Sequence, residues 1–229
     1  MRRRLFADRS DAGRRLAARL GHLAGPDTVV LALPRGGVPV AAEVARALGA
    51  PLDLVLVRKI GMPFQPELAL GAIAEGDPPQ LFIDETLRRT FAVSESYLER
   101  AIARERAEIE RRRRLYGEGR RPAAIAGRTA IVVDDGIATG ATTRVALEAV
   151  RGGRPARLVL AVPVAPRDSL EALAGAADEI VCLETPEPFG AIGQFYEDFD
   201  QLADDAVVAL LRGAAQADAE RQRARPTAG

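Results

Sequence analysis

The chain has 229 residues, 48% of them hydrophobic and 28% charged, with no Trp; a chain of this length buries about 70% of its unfolded surface and needs no disulfide or metal staple. Formal net charge is zero, which excludes a globally basic nucleic-acid binder and a membrane-surface protein. One cysteine, Cys182, excludes an intrachain disulfide framework, and no apolar run approaches the ~18 residues of a membrane span, so a cytoplasmic protein is expected.

In chain order, residues 8–20 predict a helix with Ala12, Leu16, Ala17 and Leu20 on one face. His22, the only histidine, follows it and reads as a surface residue. Residues 28–33 are almost wholly apolar, as in a strand buried on both faces. They break at Pro34-Arg35-Gly36-Gly37. A helix then runs to Leu48 and stops at Gly49, a natural left-handed cap. Residues 52–57 form a second apolar strand, which completes a βαβ unit expected to make a right-handed crossover in a parallel sheet.

Residues 61–91 read as irregular. Residues 94–116 predict a long charged helix with Leu98, Ile102, Ile109 and Tyr116 as a thin apolar stripe and Ser96 with Glu99 as a capping box. The βαβ grammar then returns, with a strand over 129–133, a turn over 134–140, a helix over 141–150 and a strand over 157–163. A short helix from Pro166, a strand over 180–183 and a helix over 204–211 follow. Cys182 lies in that last strand and reads as a buried, inert thiol, and residues 213–229 read as a frayed tail.

The richest stretch runs from Ile131 to Thr143. A buried strand ends in two adjacent carboxylates, Asp134 and Asp135; a small-residue loop follows, and a helix begins just after it. In open parallel sheets, ligands bind beyond the carboxyl ends of strands. Backbone N–H groups at a helix N-terminus bind phosphate, helped by hydroxyls such as those of Thr139, Thr142 and Thr143. Paired carboxylates beside such a loop suit ribose hydroxyls, directly or through hydrated Mg²⁺.

This run resembles the signature by which type I phosphoribosyltransferases bind 5-phosphoribosyl-1-pyrophosphate (PRPP). The resemblance implies a three-layer, Rossmann-like α/β core over about residues 28–183, with a central, mostly parallel sheet. It places that core in a single domain over 1–212, with a helical insertion over about 84–119 and a C-terminal hood over about 184–200. Asp134 and Asp135 would hold the ribose and, through water, Mg²⁺. Ala138, Thr139, Gly140, Ala141 and Thr142 would hold the 5′-phosphate.

The first turn, Leu33 to Pro39, supports the same family, in which a Lys/Arg-Gly-Gly loop grips pyrophosphate, commonly after a cis peptide. A leaving group with several negative charges needs converging N–H donors and a cation, and glycines let the backbone come close. The resemblance implies a cis bond between Pro34 and Arg35, with Arg35, Gly36 and Gly37 on the pyrophosphate. Arg58 and Lys59, expected at the end of the second core strand, would reach the same phosphates. Lys59 is the only lysine in the chain and joins Arg35, Asp134 and Asp135 as the expected catalytic set. Residues 61–67 fall where the family's mobile catalytic loop or its neighbours lie.

The stretch from Pro188 to Phe199 concentrates four aromatics in a chain that has seven Phe and three Tyr. It resembles the hood that stacks on the base in purine enzymes of the family. Phe189 would be the stacking residue, Ile137 a second base contact, and Asp198 a contact near the pyrophosphate and its metal. The Asp that hypoxanthine-type members carry four positions after the first acid is Ala138 here. The loop is closer to adenine-type and competence-protein-type members.

The implied reaction is transfer of a phosphoribosyl group from PRPP to a nitrogenous base or related nitrogen nucleophile, with Mg²⁺, in a homodimer. The alternative is a PRPP- or nucleotide-sensing regulator that binds nucleic acid through Arg111-Arg112-Arg113-Arg114. Neighbouring glutamates offset that run, so nucleic acid is not the expected partner.

Overall fold

The computed structural model describes residues 4–66, 68–75, 79–117 and 123–224. Glu67, the last two residues of the expected insertion and the last five of the expected tail lie outside them. Among the described residues, eight strands form two sheets. Strands β1 (Thr28–Ala32), β2 (Leu52–Leu54), β6 (Thr129–Val133), β7 (Arg157–Val164) and β8 (Glu179–Glu184) make a five-stranded parallel sheet in the order β2-β1-β6-β7-β8. Strands β3 (Val57–Gly61), β4 (Ala69–Ala74) and β5 (Gln80–Ile83) make a separate antiparallel sheet.

The central sheet follows from its sequence. Alternate residues of β1 and β6 enter two different cores. Val30, Ala32, Ile131 and Val133 join one, with helices α1 (Arg9–Arg19) and α2 (Gly37–Leu48). Val29, Leu31, Ala130 and Val132 join the other, with helix α5 (Ala141–Gly152). Helix α6 (Arg167–Leu173) adds Leu173 to that second core. Strands buried on both faces need apolar residues at every position, which is why they read as continuous runs. Gly49 ends α2 with φ +63°, as expected of a left-handed cap.

Register places the site. Thr28 pairs with Thr129 and Ala32 with Val133, so β1 and β6 end level. The loops that follow them therefore emerge side by side, and the Leu33 N–H donates to the Val133 carbonyl at 2.9 Å.

Four features differ from the sequence expectations. The second strand stops at Leu54. Val55 still donates to Ala32, but Leu56 exchanges hydrogen bonds with Glu75, so the chain changes sheets there. Residues 61–91, expected to be irregular, contain β4, β5 and helix α3 (Glu85–Thr90). Helix α4 (Glu95–Gly117) is capped by the Ser94 hydroxyl, which accepts from Tyr97 N at 3.3 Å, and not by Ser96. Helix α7 (Asp204–Ala224) runs well past Leu211: it packs on α2, with Val207 and Leu211 buried, and its small residues Ala209, Gly213, Ala214 and Ala217 line a cavity of about 380 Å³ against that helix.

Candidate active site

The Pro34–Arg35 peptide is cis, and the loop it opens lies directly on the acidic pair. A Cβ on Gly36 would fall 2.1 Å from Asp135 Oδ2, and one on Gly37 would fall 2.6 Å from the Val133 carbonyl. Only glycine permits that approach. Sequence motifs almost a hundred residues apart thus form one surface at the carboxyl ends of β1 and β6.

Asp134 is partly exposed and Asp135 buried. Asp134 Oδ1 accepts the Asp135 N–H at 2.8 Å. Burial, followed by repulsion from Asp135, holds the Asp134 carboxyl well above the usual range. Asp135 is also raised by burial, with Arg9 opposing the shift. Arg9 Nε donates to Asp135 Oδ2 at 2.8 Å, and the Tyr196 hydroxyl donates to the Asp135 carbonyl at 2.6 Å. Both residues escaped sequence reading because their partner is far away in the chain.

The loop over 138–142, expected to hold a phosphate, opens helix α5. Ala138, Thr139, Ala141 and Thr142 are exposed, while Gly140 is buried and enters α5 with φ +77°. No side chain caps α5, which leaves its N-terminus and dipole turned toward solvent. The Ser169 hydroxyl donates to the Ala138 carbonyl at 2.7 Å and fixes the loop from below.

Arg58 and Lys59 do not end a core strand but sit within β3, on opposite faces. Lys59 pairs with Ala72 and Val57 with Ala74. Val57, Ala72 and Ala74 pack on Val145 of α5, so Lys59 lies on the α5 side. Arg58 faces α4, where its Nε donates to buried Glu105 at 3.0 Å. The structure therefore separates this pair, expected to act together, and gives Arg58 a carboxylate of its own.

Phe189 borders a cleft of about 800 Å³, whose walls include Ala138, Thr139, Asp168, Glu171 and Glu187. Its ring centroid lies 5.1 Å from that of Phe195. Ile137 is not in that wall. Its N–H donates to Val164, which turns the side chain into the core, where it is 2% exposed. Asp198 is exposed and accepts from Asp200 N at 3.1 Å in a turn of the hood. It does not join Asp134 and Asp135: among the described residues no three acids, His or Cys are grouped to hold a metal. The hood itself has an N-terminal half missed in the sequence. Leu5 and Phe6 donate to the Phe195 carbonyl, and Glu197 donates back to Phe6.

Elsewhere, Cys182, expected to be buried, is half-buried because β8 is an edge strand; partial burial still pushes its thiol up to about 11. The arginine run of α4 is largely paired internally: Arg111 and Arg112 with Glu108, and Arg113 with Asp53 and Glu75. No helix among the described residues is long and apolar enough to cross a membrane.

An open parallel sheet that sets an acidic pair between a basic glycine loop and a small-residue loop opening a helix defines a phosphoribosyltransferase-type domain. Residues 7–200 match the phosphoribosyl transferase domain family, and the chain belongs to it. Over 208 residues, 91% of the chain, it is 50% identical to the Mycobacterium tuberculosis protein named "Putative phosphoribosyl transferase Rv0571c". The match covers 46% of that protein, so the chain spans about half the length of the curated relatives it resembles. The crystal structure of TT1426 from Thermus thermophilus superposes with a TM-score of 0.77 at 46% identity, over 90% of this chain and 97% of that one.

Proposed function

We propose that the protein is a cytoplasmic, homodimeric phosphoribosyltransferase that displaces pyrophosphate from C1 of PRPP with a nitrogen nucleophile. The observation that carries this reading is the contact between Gly36 and Asp135, 2.1 Å from a would-be Cβ. It joins the leaving-group loop to the ribose carboxylates in one surface, beside an uncapped helix N-terminus.

In this reading residues 138–142 orient PRPP by its 5′-phosphate. The Asp134–Asp135 carboxylates face the ribose as positive charge develops on it. Arg35 and the amides of Gly36 and Gly37 stabilise the departing pyrophosphate, with Lys59 approaching from the α5 side. The C1–O bond breaks as the C1–N bond forms, and the nucleophile's proton passes to solvent. The pair fits Mg²⁺: both acids are raised by burial, so an arriving cation relieves them, and Asp134 is partly exposed as a residue. When bound with PRPP, Mg²⁺ supplies charge neutralisation to the pyrophosphate.

The acceptor occupies the cleft beside Phe189, whose ring suits a flat heterocycle. A screen of bases and amines with PRPP and Mg²⁺, read by pyrophosphate release, tests the proposal. Acceptor-dependent release supports it. PRPP binding without release from any acceptor would favour the sensor reading instead.

A further inference from the structure

We infer that Arg9 is the positioning residue of the acidic pair, holding Asp135 turned inward so that Asp134 is the carboxylate left to face ligand. Only the second half rests on the PRPP reading.

Arg9 is the first residue of α1. A cation there opposes the helix dipole, so helix stability does not explain it. Its guanidinium makes three separate contacts. Nε donates to Asp135 Oδ2 at 2.8 Å, Nη1 donates to the Asp200 carbonyl at 3.0 Å, and the carbon at its centre lies 3.8 Å from the Phe199 ring centroid. The two charged side chains retain only 12% and 11% of their exposure. A carboxylate buried to that degree stays ionised only with a partner.

Asp135 is engaged on its other atoms as well. Its N–H goes to Asp134, its carbonyl accepts from Tyr196, and its Oδ2 lies under Gly36. Arg9 in turn has a firm base. The Asp8 side chain caps α1, whose Ala12 and Leu16 are fully buried, and α1 packs tightly along α2, which begins at Gly37. One guanidinium therefore joins the pyrophosphate loop's own helix pair, the end of β6 and the hood. Asp134, the more exposed residue of the two and without a direct bond from Arg9, is the acid that remains available.

A double-mutant cycle without ligand tests the first half. Arg9→Met is expected to lower the melting temperature by several degrees, and adding Asp135→Asn to recover more than half of that loss, because it removes the stranded charge. Arg9→Lys is expected to fall short of wild type, since an ammonium cannot bond Asp135 and Asp200 and stack at once. Should Arg9→Met not fold, the double variant is expected to fold, and its failure would overturn the assignment, as would simply additive losses. The second half is read by PRPP-Mg²⁺ thermal shift. Asp134→Asn should keep its melting temperature and lose the shift, while Asp135→Asn should melt lower and keep part of it. Equal loss of the shift in both, without a change in melting, would overturn the asymmetry. A wild-type protein that PRPP does not stabilise would overturn the PRPP reading instead, and the ligand-free cycle would still decide the role of Arg9.

Discussion

Asp204, at the start of α7, lies 3.8 Å from Arg35, and the same carboxylate oxygen accepts the Tyr116 hydroxyl of α4. Burial and the bond to Asp204 hold the Tyr116 phenol up at about 12, so it remains a neutral donor at ordinary pH. The Arg35 guanidinium is thus already engaged by an acid, which in the proposed function an incoming pyrophosphate displaces. Asp204→Asn removes that competitor. The pair is partly exposed and worth about 0.5–1 kcal/mol, so the KM for PRPP is expected to fall about two- to fivefold with kcat little changed. A rise in KM would mean that Asp204 holds Arg35 in its working position.

Gly36→Ala places a methyl group 2.1 Å from Asp135 Oδ2, an oxygen already held by Arg9. The expected result is a loss of about 2 kcal/mol or more by urea unfolding, the range for core overpacking, together with loss of PRPP binding. Gly21→Ala, where a Cβ meets nothing within 4 Å, serves as the control and is expected to be neutral within about 0.5 kcal/mol.

The opposite faces of Arg58 and Lys59 predict opposite phenotypes. Arg58→Met strips a hydrogen bond from buried Glu105, which keeps Arg104 at 2.9 Å. It should destabilise the fold by about 1–2 kcal/mol and leave the KM for PRPP nearly unchanged. Lys59→Met should raise that KM at least tenfold with little change in urea midpoint. Measuring both variants by both methods checks the separation.

Much of the site was legible because its parts are local. The strand-loop-helix run from Ile131 to Thr143 and the Leu33–Gly37 turn each carry their chemistry within a few residues, and the parallel strands announce themselves as apolar runs. The second sheet was not legible. Ala69-Leu70-Gly71-Ala72-Ile73-Ala74 lacks the polar alternation of a half-exposed strand, because it packs on α4 through one face and on α5 through the other. Arg9 was hidden by 126 residues of separation from Asp135 and by its arginine-rich surroundings. One signal could have found it: Asp is a favoured N-cap, and starting the helix after Asp8 instead of at it puts Arg9 in the first turn, where the dipole disfavours a cation. Tail residues 213–224 read as frayed because their small side chains make a weak stripe, whereas in the fold they continue α7 along α2, and Arg221 donates to the Ala50 carbonyl at 3.4 Å.

Acid should separate one surface cluster from the rest. Hydrogen bonds from Arg111 and Arg112 hold the Glu108 carboxyl down at about 2, against about 4.3 in an unfolded chain. A carboxyl depressed in the folded state stabilises above the unfolded value and loses that contribution as pH falls toward about 2. Because the pair is solvent-exposed, the gain is below about 1 kcal/mol. The difference in urea midpoint between wild type and Glu108→Gln should be present at pH 7, shrink below about pH 4 and vanish near pH 2. A difference that persists at pH 2 would assign the effect to packing.

Calorimetric titration of PRPP into the wild-type protein and into Asp134→Asn, each with and without Mg²⁺, addresses the central claim most directly. The site described above predicts saturable binding at one PRPP per chain, at least tenfold tighter with Mg²⁺, and loss of that Mg²⁺ enhancement in Asp134→Asn. Absence of binding to the wild type, or a titration that Mg²⁺ and Asp134→Asn both leave unchanged, would contradict it.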